Sequence, residues 1–154
     1  MKTAEKALQF INNVKDAKFL EVACGCAELS IEAAKYANSV DCIDLDEFRL
    51  KQEINNYNNI HFQKMDATQM NFNNEYFDIV ALYNAVMHLE EILESVIKEC
   101  IRVTKKSGEI YVISTFRMDK PVMQTKLHNI LVKNNIQFQT FEEGKYSGIV
   151  IHGN

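Results

Sequence analysis

The chain has 154 residues, 47% hydrophobic and 25% charged, the length and balance of one domain built round one core. With 5 glycines and 1 proline it is neither collagen-like nor Pro-rich, and its apolar content excludes disorder. No apolar run reaches the roughly 20 residues that cross a bilayer, and the N-terminus turns amphipathic at once without a secretory core. A single cytoplasmic domain over residues 1–154 is expected, with no membrane association.

Lysine and arginine number 17 against 21 acidic residues, a net charge of −4 that offers no global attraction for nucleic acid. The charge is uneven: residues 98–133 hold 8 basic and 3 acidic side chains, whereas residues 1–97 hold 8 and 16. The basic stretch is expected to be solvated helix faces with cations near helix C-termini. A docking face for an anionic substrate is its alternative. Cysteines stand at 24, 26, 42 and 100. A C-x-C pair with no second knuckle and no clustered histidine does not make a zinc site, so no metal is expected. All four cysteines read as small apolar residues.

Short β-branched runs alternate with helical patterns. Residues 4–14 predict a helix, with Ala4, Ala7, Leu8, Ile11 and Val14 on one stripe. Strands are expected at 18–23, 40–44, 58–64 and 76–82, with helices at about 28–37 and 47–55 between them. The clearest helix covers about 90–104, where Leu93, Ile97 and Ile101 repeat at spacing four. Gly108 is expected in a left-handed turn before a fifth strand at 109–115. A helix at about 120–133 carries Pro121 in its first turn, and two strands joined by a polar turn close the chain.

This alternation predicts an α/β fold: a doubly wound, mostly parallel sheet with helices on both faces. The last two strands lie too close in sequence for a crossover, so they form an antiparallel hairpin at one edge. In such a sheet the ligand crevice lies beyond the carboxyl ends of the strands, at the switch point. The loops at 23–28, 44–48, 65–70 and 82–89 are therefore the functional segments.

The first of these loops reads Glu21-Val-Ala-Cys-Gly-Cys-Ala-Glu, a strand-to-helix turn centred on Gly25. The second strand ends in Asp44, placed to accept both hydroxyls of a ribose. The third ends in Asp66-Ala67, where a carboxylate can accept an exocyclic amine. No G-x-G-x-x-G is present, so this is not a dinucleotide site; an acid-lined, phosphate-poor crevice suits a cationic nucleoside.

These motifs resemble those of the class I S-adenosylmethionine-dependent methyltransferases, over roughly residues 18–115. Glu21-Val-Ala23-Cys-Gly25-Cys-Ala27 resembles the acid followed by alternate glycines. Val40-Asp-Cys-Ile-Asp44 and Met65-Asp66-Ala67 resemble the ribose-side and adenine-side motifs. Phe77-Asp78-Ile-Val-Ala-Leu resembles the fourth strand, and Cys100-Ile-Arg102-Val-Thr-Lys-Lys-Ser107-Gly108 resembles the helix and turn before the fifth. The resemblance implies S-adenosylmethionine as cofactor and S-adenosylhomocysteine as product. It implies cofactor contacts from Glu21, Ala23, Cys24, Gly25, Asp44, Leu45, Asp66, Ala67 and Tyr83. Ala23 and Ala27 replace two usual glycines, and either would be strained by roughly 1–2 kcal/mol if its φ were positive.

On the acceptor side the loop reads Tyr83-Asn84-Ala-Val-Met-His88-Leu, without the Asn/Asp-Pro-Pro-aromatic signature of enzymes acting on base or glutamine amino groups. His88 is the general-base candidate, its alternative being a packing or helix-capping histidine after the strand; Tyr83 either orients an acceptor or lines the cofactor pocket. His61, His128 and His152 read as structural. The expected function is methyl transfer to a small-molecule acceptor, with a pocket that is open to a large substrate, closed by a second copy or a partner subunit, or vestigial. The alternatives are a non-catalytic S-adenosylmethionine-binding subunit, and an RNA- or protein-directed methyltransferase using the basic stretch.

Overall fold

The structure, a computed structural model, describes residues 1–153. Its elements in chain order begin with α1 (Thr3–Leu8), β1 (Lys18–Val22), α2 (Glu28–Ala34), β2 (Ser39–Asp44) and a 3-10 turn at Gln52–Asn56. There follow β3 (Ile60–Lys64), β4 (Phe77–Tyr83), α3 (Leu93–Val103) and β5 (Thr104–Ser114). Then come α4 (Asp119–Val122), a π-helical turn at Met123–Leu127, α5 (His128–Lys133), β6 (Phe138–Glu143) and β7 (Tyr146–His152).

The seven strands form one sheet in the order β3-β2-β1-β4-β5-β7-β6. All pairs from β3 through β5 are parallel, and β7 runs antiparallel to both β5 and β6. The expected edge hairpin is present, with β7 inserted next to β5. Strand alternation divides the core. Leu20, Val22, Val80 and Leu82 face α3, α4 and α5 (through Leu93, Ile97, Val122 and Leu131). Phe19, Ile79, Ala81 and Tyr111 face α1 and α2 (through Ala7, Leu8, Leu29 and Ala33). The winding changes side between β1 and β4, which opens the crevice there.

Three local expectations are corrected. The helix expected over 4–14 stops at Leu8: Phe10 and Ile11 donate to Ala7 and Leu8 in single turns, and Asn13 takes a φ of 63°. Ile11 and Val14 still reach the same core, so the stripe is right although the helix is shorter. The helix expected over 47–55 is absent. Asp46 accepts the Phe48 amide at 3.1 Å, a side-chain turn that competes with the helix ladder, and only the 3-10 turn follows. Gly108 is not left-handed. It lies inside β5 where the register with β4 jumps from Phe77–Thr104 to Ile79–Glu109. A β-carbon there would stand 2.6 Å from the Asp78 carbonyl oxygen, so close approach, not φ, demands glycine. Among the described residues no helix is long and apolar enough to cross a membrane.

Candidate functional site

Beyond Val22 the chain takes three left-handed steps on alternate residues: Ala23 at φ 56°, Gly25 at 56° and Ala27 at 66°. Both alanines therefore hold the conformation that the sequence reserves for glycine, at about 1–2 kcal/mol each. The loop is held by its surroundings. The Cys24 amide donates to Ile43 at 3.0 Å, the Ala27 amide to Cys24 at 2.8 Å, and the Gly25 amide to Oδ2 of Asp44 at 2.8 Å. The last bond ties the glycine turn to the end of the neighbouring strand. Cys24 and Cys42 lie together beneath it, and their contact and burial push the Cys24 thiol up, leaving it neutral.

Glu21 alternates with Leu20 and Val22, so it points to the α2 side of the sheet. It is 1% exposed, and its Oε1 accepts the Ser30 amide at 3.0 Å and the Ser30 hydroxyl at 2.7 Å. Burial pushes its carboxyl up to about 8; the Ser30 bonds oppose the shift, and the Asp44 and Glu28 carboxylates add to it. Burial thus favours the protonated form of Glu21 near neutral pH. Asp66 is the opposite case: exposed, it accepts the Thr68 amide and hydroxyl at 2.8 and 2.7 Å, and these bonds hold it below the usual carboxylate range.

These groups line one crevice of about 400 Å³ at the carboxyl ends of β1, β2, β3 and β4. Glu21, Ala23, Cys24, Gly25, Asp44, Leu45, Asp66, Ala67, Tyr83 and His88 all border it, so the residues singled out from the sequence are brought together. Tyr83 is 9% exposed, and burial pushes its phenol up to about 12, so it stays protonated and can only donate or accept a hydrogen bond. His88 is exposed on the crevice wall.

The loop carrying His88 is anchored by a network that the sequence did not announce. Asn84, at φ 55°, accepts the Thr115 amide at 2.8 Å and the Ser114 hydroxyl at 3.2 Å. The Ser114 hydroxyl has one proton to give, shared between Asn84 and the nearer Oδ2 of Asp119, which is 1% exposed, and Oδ1 of Asp119 accepts the Met87 amide at 3.1 Å. A buried carboxylate thereby clamps the loop after β4 to the start of α4. Ile92, Leu89 and Phe116 give that side of the crevice an apolar wall, and Arg49 enters from the loop after β2. None of these four belongs to a recognisable motif.

The basic stretch does not assemble into one free face. Lys98 and Lys133 pair with Glu94, Arg102 with Glu99, Lys105 with Asp78 and Lys120 with Glu142. Among the described residues no cluster of histidine, cysteine and acidic side chains could hold a metal ion.

A parallel sheet with its switch point between β1 and β4, a left-handed loop there and a strand-end acid bonded to it define a Rossmann-like methyltransferase fold. The chain belongs to the methyltransferase family: the family described as "Methyltransferase domain" matches residues 20–112. It is 32% identical over 132 residues to the demethylmenaquinone methyltransferase of Chlorobaculum parvum, covering 85% of this chain and 54% of that one. It is 27% identical over 122 residues to the Bacillus subtilis protein of the same name, covering 74% and 52%. The chain thus spans about half the length of the curated relatives it matches. Its fold is that of a SAM-dependent methyltransferase structure from Aquifex aeolicus, with a TM-score of 0.81, 18% identity and coverage of 97% of this chain and 88% of that one.

Proposed function

We propose that the chain is a class I S-adenosylmethionine-dependent methyltransferase domain acting on a small, largely apolar acceptor. The observation that carries the reading is the bond from the Gly25 amide to Asp44 within a loop left-handed at 23, 25 and 27. A floor without a β-carbon beside a strand-end carboxylate fits a ribose, and an exposed carboxylate at Asp66 fits an adenine amino group. A crevice of about 400 Å³ has room for one adenosyl ligand, which leaves the acceptor to the mouth.

In this reading Asp44 holds the ribose hydroxyls, Gly25 and Ala23 give close backbone approach, and Leu45, Asp66 and Ala67 border the adenine. Glu21, Cys24 and Tyr83 border the methionine end. Bound there, S-adenosylmethionine would supply a methyl group already activated by positive sulfur. The protein's share of the work is alignment of the acceptor, a proximity effect that needs a base only where the acceptor must lose a proton. His88 is the group placed to take that proton, with Tyr83 as a hydrogen-bonding guide. The wall of Leu89, Ile92 and Phe116 favours an apolar ring system, in keeping with relatives named for demethylmenaquinone.

Calorimetric titration with S-adenosylmethionine and S-adenosylhomocysteine, with Asp44→Ala as control, tests the reading. Binding that the substitution abolishes supports it, and transfer of labelled methyl to a short-tailed naphthoquinol tests the acceptor class. Absence of binding to both ligands overturns it.

A further inference from the structure

Among the acidic groups of the crevice stands one exposed arginine. Arg49 follows Asp44, Asp46 and Glu47 in the loop after β2. Its guanidinium lies against Gly25: Cζ, Nη1 and Nη2 are 3.3, 3.3 and 3.4 Å from the point a β-carbon on that glycine would occupy. Three nearly equal distances mean that the plane lies face-on. Although Glu28, Asp44, Asp46 and Asp66 border the same crevice, none of the ion pairs among the described residues involves Arg49.

A guanidinium is weakly hydrated on its faces and strongly at its edges, so resting one face on a bare glycine costs little while its N–H groups stay in water. An alanine at position 25 would push against all three atoms. The glycine that lets a nucleoside approach the backbone therefore also accommodates the arginine, and both cannot have the same floor. The contact lies next to the Gly25 amide and Asp44, where the ribose of an adenosyl ligand would sit.

We propose that Arg49 is a built-in competitor for the nucleoside subsite, setting the affinity of the crevice for adenosyl ligands. The inference rests on the adenosyl reading given above. A ligand seats its ribose on Asp44 only after the guanidinium has left Gly25, so the apparent dissociation constant equals the intrinsic one divided by the fraction of molecules in which the floor is clear. Because the cost is incurred before any ligand contact forms, it is the same for every adenosyl ligand, whatever its tail.

The test is calorimetric titration of the whole chain, as wild type, Arg49→Ala and Arg49→Lys, with S-adenosylhomocysteine and with 5′-methylthioadenosine, which lacks the amino-acid tail. Arg49→Ala is expected to tighten both ligands by one common factor, about tenfold if the guanidinium covers Gly25 roughly nine-tenths of the time. Arg49→Lys, whose ammonium cannot lie flat, is expected to tighten both as well. Weakened binding of S-adenosylhomocysteine alone would make Arg49 a receptor for the ligand carboxylate and overturn the proposal. Weakening of both, or no change in either, overturns it too. If neither ligand binds any of the three proteins while their thermal melts agree, the adenosyl reading itself fails and the competitor with it.

Discussion

One carboxylate oxygen of Glu21 accepts both the amide and the hydroxyl of Ser30, at 3.0 and 2.7 Å, joining the end of β1 to the first turns of α2 beneath the crevice loop. Burial raises the Glu21 carboxyl from 4.5 to about 8. Between those pH values the unfolded chain has released a proton that the folded chain retains. Stability therefore falls as pH rises, by up to about 1.4 kcal/mol per pH unit, and levels off once the folded group also ionises. Urea unfolding from about pH 5 to about pH 8 should show this slope in the wild type. Glu21→Gln keeps the acceptor for Ser30 and should flatten it.

The same proton should respond to the charge of the ligand. A sulfonium cation held near Glu21 favours its ionised form, so S-adenosylmethionine should release a proton on binding near neutral pH while the uncharged sulfur of S-adenosylhomocysteine should not. Titrations in two buffers of different ionisation enthalpy measure that release directly. In Glu21→Gln the two ligands should behave alike.

Ala23 and Ala27 carry the same backbone strain in different surroundings. Ala23 is half-buried at the crevice edge, so Ala23→Gly relieves the strain at little packing cost. Against about 1–2 kcal/mol of relief stands about 0.4–1 kcal/mol of added unfolded-chain entropy, giving a net gain of about 0–1.6 kcal/mol. Ala27 is fully buried, packed in one cluster with Cys24 and Cys42, and losing its methyl group forfeits about 0.8 kcal/mol more. Ala27→Gly should come out near neutral. Denaturant midpoints of the two variants check the ordering.

Removing the Asp119 carboxylate takes the acceptor from the part-buried Met87 amide and leaves the Ser114 hydroxyl only Asn84 at 3.2 Å. Asp119→Ala should cost about 2–4 kcal/mol, and Asp119→Asn less, because it keeps the shape and an acceptor for Met87. Amide hydrogen exchange separates local from global effects. Met87 should lose protection in Asp119→Ala, whereas Thr115, bonded to Asn84, should keep it.

The thiols differ in accessibility. Cys24, Cys42 and Cys100 are buried, and burial pushes the Cys100 thiol up as well, whereas Cys26 is part-exposed on the crevice rim. Iodoacetamide near neutral pH should modify Cys26 first. A saturating adenosyl ligand should slow that reaction, and peptide mass mapping reads both effects.

What the sequence made legible was what backbone rules dictate. Strand periodicity located β1 through β5, short loops forced the closing hairpin, and a glycine pattern marked the crevice even with alanine at 23 and 27, because the loop adopts its left-handed steps whichever residue fills them. Less visible were features set by contacts between distant segments. The segment at 47–55 has helical composition, yet its side-chain turns win over the ladder. Gly108 looked like a turn residue because its neighbour across the bulge, Asp78, is 30 positions away. The Asn84–Ser114–Asp119 clamp joins residues of three segments that carry no shared motif, and Arg49 looks like a surface arginine until Gly25 is seen beneath it.

The loop after β2 lacks a helix to stiffen it, and an ion pair helps tie it to the start of α2: Lys51 to Glu28, at 2.9 Å, with both side chains nearly half exposed. Such a pair contributes at most about 1 kcal/mol and weakens as electrolyte screens it within about a Debye length, roughly 10 Å at 0.1 M. Ionic strength therefore acts on one rim of the crevice far more than on its floor, whose Gly25–Asp44 bond is part-buried. Raising salt should loosen the Lys51–Glu28 pair and the exposed side chains beside it, while the bond from the Lys51 amide to Cys26, the packing of Leu50 and Ile54 and the sheet beneath stay as they are.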